Sequence, residues 1–470
     1  MLFTELRFLF FFAAVAVVYW SLRWNKARKV FLLVASYAFY AGWDWRFLGL
    51  ILFSTVIDWI AGAGIHRNVG KRRVQRAWLS LSLFGNLGFL ATFKYFDFCS
   101  ETAQDFLRWL GFNTSLPVLN LLLPVGISFY TFQTLSYSLD IYFGKLKPAR
   151  SFLDLALFVG FFPQLVAGPV VLAKEFLGQL ESRRTLAHVP VRWALILFFV
   201  GFIKKACFSD YLAPFVQSVH EAPGAVDSYA AWVSGFSFAA QMYCDFSGYT
   251  DMAIACAALL GFKLPKNFAA PYLSESIGDF WRRWHITLGR WFAQYLYIPL
   301  GGSRNGKWRE LRNLWIVFLV SGLWHGAGLP FIVWGAIHGT AIVAERLWTG
   351  GWLLRIPVVA RIAYVNLIWI VSLVFFRSPT MQGAVELLRT MLTGGPEQVP
   401  GGAELASVPQ WVVPALLGAF AVHVIWQKAH LERRWAELPP PVFGALLGAA
   451  VALAIPWINT NPAPYIYFVF

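Results

Sequence analysis

Apolar runs long enough to cross a bilayer recur along the 470-residue chain, and short loops of clustered basic residues separate them. The first, MLFTELRFLFFFAAVAVVYWSLRW, has no small-residue cleavage site and reads as a retained transmembrane helix, not a removed signal peptide. Arg23, Lys26, Arg28 and Lys29 follow it. An apolar stretch from Val30 to about Tyr40, a Gly-Trp-Asp-Trp turn and a span from Phe47 to Ile65 lead to a second basic loop, with Arg67, Lys71, Arg72, Arg73 and Arg76. A span from Trp78 to about Phe93 runs into an acid-containing segment (Asp97, Glu101, Asp105), and Leu119 to Phe143 returns to Lys145, Lys147 and Arg150. Across the first five spans basic clusters thus fall at every second loop, which places them in the cytoplasm and the N-terminus outside; the regularity then weakens, since Lys174, Arg183, Arg184 and Arg192 follow Phe152–Leu172 where alternation predicts the far side.

Composition supports the same class. Hydrophobic residues make up 58% and charged residues 13%, about half the charged share of a soluble chain, so there is too little polar surface to coat a soluble body. The 44 Phe, 23 Trp and 17 Tyr exclude disorder, and four cysteines exclude a disulfide scaffold. The net charge of +15 is assigned to topology loops and not to nucleic acid. The expectation is an all-α, multi-pass membrane protein forming a single domain over residues 1–470, with about 11 spanning helices.

Later spans are expected around Trp193–Ala206, Tyr229–Leu260, Leu314–Trp348, Val358–Phe376, Val412–Trp426 and Phe443–Trp457, the long ones holding two crossings or half-crossings each. Phe152–Leu172, whose FFPQLVAGP is broken by two prolines and a glycine, suits a re-entrant or kinked segment buried in protein. Thr380–Pro409 is the expected long loop. The chain shows no internal repeat, which counts against a transporter built from inverted repeats.

Polar residues inside apolar spans are the functional candidates, because burying them in hydrocarbon is costly. His325 lies in NLWIVFLVSGLWHGAGLPFIVWGAIHG, where Gly326, Gly328 and Pro330 loosen the helix and let a side chain line a cavity. A neutral histidine there can serve as a general base; a structural histidine bonded to a backbone carbonyl is the other reading. His338, near a span end, reads as structural. In SESIGDFWRRWHITLGRWFAQYLYIPLGG, helical spacing puts Asp279, Arg283, Thr287, Arg290 and Gln294 on one stripe and Trp281, His285, Leu288 and Phe292 on another. Such a helix could lie at the membrane interface, or it could present His285 inward and Arg282 or Arg283 to an anionic ligand. QMYCDFSGYTDMA places Asp245, Ser247 and Asp251 in an apolar region, where a carboxylate needs an arginine or histidine partner or serves as helix-packing glue. Asp58 and Asp140 read as structural. No GxSxG, Walker A, GxGxxG, CxxC or HExxH pattern occurs, so no metal site is expected.

Taken together and in order, LLLPVGISFYTFQTLSYSLDIY, FFPQLVAGP, QMYCDFSGYTDMA, NFAAPYLSESIGDFWRRWHITLGRWFAQYLYIPLGGSR, RNLWIVFLVSGLWHGAGLPFIVWGAIHG and the aromatic ending PYIYFVF resemble the membrane-bound O-acyltransferase family, in its bacterial alginate O-acetylation branch. The resemblance implies a ring of helices around a thin core, with funnels from both faces meeting near His325. It makes His325 the catalytic histidine and places His285 on the same passage, with Trp281, Trp284, Trp324, Asp245 and Ser247 as further lining and Arg282 and Arg283 as donor contacts.

The implied reaction moves an acetyl group from cytosolic acetyl-CoA, a substrate and not a resident cofactor, across the bacterial inner membrane. A periplasmic partner of the SGNH esterase-like type then acetylates an exopolysaccharide. The expected associations are membrane lipid, acetyl-CoA, that partner and the glycan, with no nucleic acid. Two alternatives stay open: a polysaccharide transporter or flippase, and the same family acting on peptidoglycan, cellulose or teichoic acid.

Overall fold

The computed structural model describes residues 1–348, 355–394, 407–429, 431–458 and 463–466, and among them every regular element is helical. The chain clusters into two compact units, one formed by Met1–Pro190 with Cys256–Pro265, the other by Val191–Ala255 with Lys266–Phe470.

The first unit holds α1 (Leu6–Ser21), α2 (Asn25–Asp44), α3 (Leu48–Arg67), α4 (Arg72–Trp109), α5 (Ile127–Tyr142), α6 (Phe152–Gly160), α7 (Phe162–Leu165) and α8 (Ala173–Phe176). Asp44 caps the turn between α2 and α3 by accepting from the Arg46 N–H at 2.9 Å. Helices α3, α4 and α5 meet around buried Asp58. Its carboxylate accepts from Ser82, from Ser138 at 2.6 Å and from Asn86 at 2.9 Å, while Thr134 donates to Asn86 at 3.1 Å. A carboxylate taken out of water survives when donors surround it, which gives Asp58 the structural part expected of it.

Arg28 departs from its sequence reading. Grouped there with the loop charges, it is only 2% exposed. Its guanidinium donates to the carbonyls of Leu22 (2.8 Å), Arg184 (2.7 Å) and Trp20 (3.3 Å) and lies over the Tyr19 ring at 4.9 Å. A fork of five donors is suited to tying loop carbonyls together.

Two span boundaries also change. Helix begins at Ile127, not Leu119, and α4 runs unbroken for 38 residues from the basic loop through the acid-containing segment. The FFPQLVAGP segment is broken and buried: α6 ends at Gly160, α7 carries Pro163 in its first turn, and Leu155 to Ala173 are almost wholly inaccessible.

The second unit contains α9 (Val191–Phe202), α10 (Asp210–Glu221), α11 (Ser228–Leu259, whose last turn joins the first unit), α12 (Ile277–Arg283), α13 (Ile286–Phe292), α14 (Lys307–His325), α15 (Leu329–Trp348), α16 (Val358–Arg377), α17 (Met381–Thr393), α18 (Val412–Ala429), α19 (Leu431–Ala436) and α20 (Pro440–Ala454). The expected pairing of crossings holds for Leu314–Trp348, which divides into α14 and α15. It fails for Tyr229–Leu260, a single 32-residue helix with no proline or positive-φ residue to break it. The first half of the expected loop Thr380–Pro409 is helix α17, N-capped by the Thr380 hydroxyl; residues 395–406 lie outside the described residues.

Among the described residues, Asn25–Arg67 (α2 and α3 with the turn between them), Val358–Arg377 and Pro440–Trp457 are long and apolar enough to cross a membrane, and Leu6–Ser21 and Val412–Gln427 are shorter apolar helices. Phe10, Val17, Phe84, Leu417 and Leu453 stand exposed on their helices. Exposed apolar surface on that scale suits lipid contact.

Candidate active site

His325 is the last residue of α14. The helix stops there because the chain must turn sharply into α15, and a Cβ at Gly326 would overlap the Phe331 ring. The two helices approach so closely that a Cβ at Gly322 would fall on the Phe331 carbonyl, and one at Gly335 on the Phe318 carbonyl. This hairpin delivers His325 into an aromatic box. Its ring, 6% exposed, meets Trp324 at 4.8 Å, Trp334 at 5.0 Å and Phe376 at 5.1 Å, each edge-on.

His285 reaches the same region from a different local structure. The amphipathic helix expected through residues 274–302 is interrupted: Trp284 is extended and His285 is left-handed, with φ 43° and ψ 51°. The stripes read from helical spacing therefore do not run through the segment. Helix α12 is held at its start by Ser276, which caps Asp279, and by Glu345 of α15, which accepts from the N–H groups of Ile277 (2.6 Å) and Gly278 (3.1 Å). The break turns the His285 ring inward (2% exposed), against Phe246 at 4.7 Å and within 6.4 Å of the Trp324 indole. One indole is thus in contact range of both histidines.

Asn267 fixes the protonation pattern of His285. Its Oδ1 accepts from the Thr287 N–H (3.3 Å) and hydroxyl (2.9 Å) and lies 3.2 Å from His285 Nδ1. A backbone N–H can only donate, so the amide atom facing it is oxygen, and Nδ1 must carry the proton. The lone pair then sits on Nε2. Sequence reading passed over Asn267; its signal was a polar residue in NFAAPYL, within the segment that carries the strongest resemblance. We predict that Asn267→Leu lowers the activity of this site by about 10- to 100-fold, the scale of a misplaced reacting group, whereas Asn267→Asp, which keeps an acceptor, loses much less. Equal losses in a steady-state assay of both variants would overturn this role.

The other candidates fall into separate groups. Trp324 touches both histidines. Trp281 forms an outer layer against Trp334 (5.6 Å), and Trp284 packs on Phe268 (5.1 Å) and Trp369 (4.7 Å). Arg283 is held by Asp279 at 2.8 Å; Arg282 makes only a 3.5 Å contact to Asp279, and its side chain is 73% exposed. Ser247 is buried on α11. Among the described residues Asp245 is partnered by neither an arginine nor a histidine: Lys205 lies 2.6 Å from it and the Ile466 N–H 2.7 Å. His338 behaves as a structural histidine. Ser372 donates its hydroxyl to the Trp369 carbonyl, so it accepts from His338 Nε2 at 2.9 Å. No group of histidine, cysteine and carboxylate side chains suited to a metal occurs among the described residues.

Comparison with known proteins follows the same residues. Residues 145–376, which include both histidines and Asn267, match the membrane-bound O-acyltransferase family, MBOAT. A probable alginate O-acetylase of Pseudomonas aeruginosa is 36% identical over 85% of this chain and 76% of its own length. Its counterpart in Azotobacter vinelandii is 39% identical over 74% and 69%. The peptidoglycan O-acetyltransferase of Helicobacter pylori is 36% identical over 77% and 73%. Identity at this level across most of both chains, with the histidine-bearing segments inside the matched region, makes this membrane protein an O-acyltransferase that belongs to the membrane-bound O-acyltransferase family.

Proposed function

We propose that the chain takes an acetyl group from cytosolic acetyl-CoA and passes it across the inner membrane, through a periplasmic partner of the SGNH esterase-like type, for O-acetylation of an exopolysaccharide of the alginate kind. The observation that carries this reading is the pair of buried histidines brought to one indole by two unrelated local structures, a helix end and a left-handed break. The relatives named as alginate O-acetylases support the acceptor class.

His325 takes the proton of the acceptor hydroxyl as that oxygen attacks the thioester carbonyl. The tetrahedral adduct collapses, the carbon–sulfur bond breaks, and the departing thiolate recovers the proton from the imidazolium. An ester and free CoA result. His285 lines the same passage with its Nε2 lone pair, and the aromatic walls exclude water that would hydrolyse the thioester. Arg282, exposed and weakly paired, is the better placed of the two arginines to meet CoA phosphates. In this reading about 11 helices form a ring, and funnels from both faces lead to the histidines.

The test is transfer of radiolabelled acetyl from acetyl-CoA in membrane vesicles carrying the protein and the candidate partner, together with ester-acetate analysis of a deletion strain. Loss of exopolysaccharide acetate on deletion is expected. Loss confined to peptidoglycan would shift the acceptor toward that of the Helicobacter relative, and no acetyl transfer to any hydroxyl would end the reading.

A further inference from the structure

The apolar run expected over Trp193–Ala206 conceals two lysines in succession. Between α9 and α10 the chain widens into a π-helical turn, Ile203–Ser209, a local form often retained at functional places. Lys204 pairs with Asp251 at 2.7 Å. Lys205 is more deeply placed. Its side chain (3% exposed) meets Asp210 (1%) at 2.7 Å and Asp245 (2%) at 2.6 Å. An ammonium has three donors, and the third goes to the Ala463 carbonyl at 3.0 Å. Asp245 in turn accepts from the Ile466 N–H at 2.7 Å.

The triad therefore grips the backbone of residues 463–466 at both ends, one carbonyl and one N–H. Within the grip Tyr465 is wholly buried, with its ring 5.0 Å from Tyr249 and 6.0 Å from Phe246. Phe246 is the ring that meets His285 edge-on at 4.7 Å. Buried ion pairs are poor sources of stability, because desolvation offsets most of their attraction; their advantage is to specify one geometry. Apolar packing could bury Tyr465 equally well. It could not fix the register of a short segment with little regular structure of its own.

We propose that residues 463–466 are a positioning element of the histidine site, and that Lys205 is the residue that holds them in place. The chain of contact runs from Lys205 and Asp245 to the 463–466 backbone, then through Tyr465 and Phe246 to His285. The inference rests on the acyl-transfer reading of His285 and adds to it a role for Lys205.

Three full-length variants test it. Lys205→Met removes the ammonium and leaves two buried carboxylates without a cation. Ile466→Pro leaves the side chains of the triad in place and removes the N–H that Asp245 accepts, together with the buried Ile466 side chain, so it decides the matter if Lys205→Met fails to insert. Lys205→Arg restores a cation with several donors. Amide exchange of the peptide spanning 463–466, followed by mass spectrometry, and kcat and KM for the acyl donor are measured on each.

Lys205→Met and Ile466→Pro are expected to accelerate exchange in that peptide and to lower kcat about 10-fold or more, with KM changed less than about twofold because donor binding is untouched. Lys205→Arg should recover part of both. Unchanged exchange in the two damaging variants would overturn the grip, and faster exchange with unchanged kcat would overturn the positioning role. Should the wild-type protein transfer no acetyl group, the acyl-transfer reading fails, while the exchange measurement still decides whether Lys205 holds the segment.

Discussion

His325→Ala is expected to abolish acyl transfer while leaving the protein folded and inserted. Truncation at Cβ leaves the backbone hydrogen bonds of α14 in place. In the proposed mechanism it removes the proton acceptor at the centre of the Trp324, Trp334 and Phe376 box. Loss of a general base costs about 10²- to 10⁴-fold in rate, and a vacated aromatic contact costs about 1–3 kcal/mol of stability. His325→Gln separates the two effects, since it fills the space without supplying a base. Both variants should reach the membrane at near wild-type abundance and give no exopolysaccharide acetate above the deletion background. Normal acetylation by a folded His325→Ala protein would sink the catalytic assignment.

Gly322→Val should inactivate by a different route. A Cβ at this position falls on the Phe331 carbonyl, which is backbone and cannot rotate away. The two helices of the hairpin must therefore separate, at a cost of about 1–3 kcal/mol or more, and His325, three residues on, leaves its box. Gly322→Val is expected to lower both the thermal midpoint in detergent and the activity. His325→Gln, in contrast, should lower activity with a smaller loss of midpoint. A Gly322→Val protein with wild-type stability and rate would show that the hairpin tolerates a wider spacing than its geometry allows.

These two positions mark what the sequence disclosed and what it withheld. His325 was singled out as an ionisable residue in an apolar run followed by Gly-Ala-Gly, where a base and a structural histidine both stayed open until the family resemblance chose between them. The α14–α15 hairpin was legible because Gly326, Gly328 and Pro330 break the apolar run. His285 was found, but on the wrong scaffold: hydrophobic periodicity cannot report a left-handed residue at a non-glycine position, so a continuous helix was expected where the chain breaks.

Asn267 was missed because its role depends on a contact 18 residues away in sequence. Arg28 and Lys205 were hidden for related reasons. A basic residue near the end of a span looks like a topology signal whether it faces water or, as here, ties carbonyls and carboxylates together in the interior. Periodicity and charge show which segments are buried; they do not show which buried polar groups meet.

The left-handed backbone of His285 has a consequence for how the protein can change. A non-glycine residue in that conformation costs about 1–2 kcal/mol, a burden that glycine would relieve. Glycine at position 285 would relieve that backbone cost but leave a cavity where the buried ring packs on Phe246 and Asn267. Position 285 is thus a place where backbone conformation and side-chain packing pull in opposite directions. β-Branched replacements would satisfy neither, which leaves evolution few routes out of this position other than asparagine or glycine.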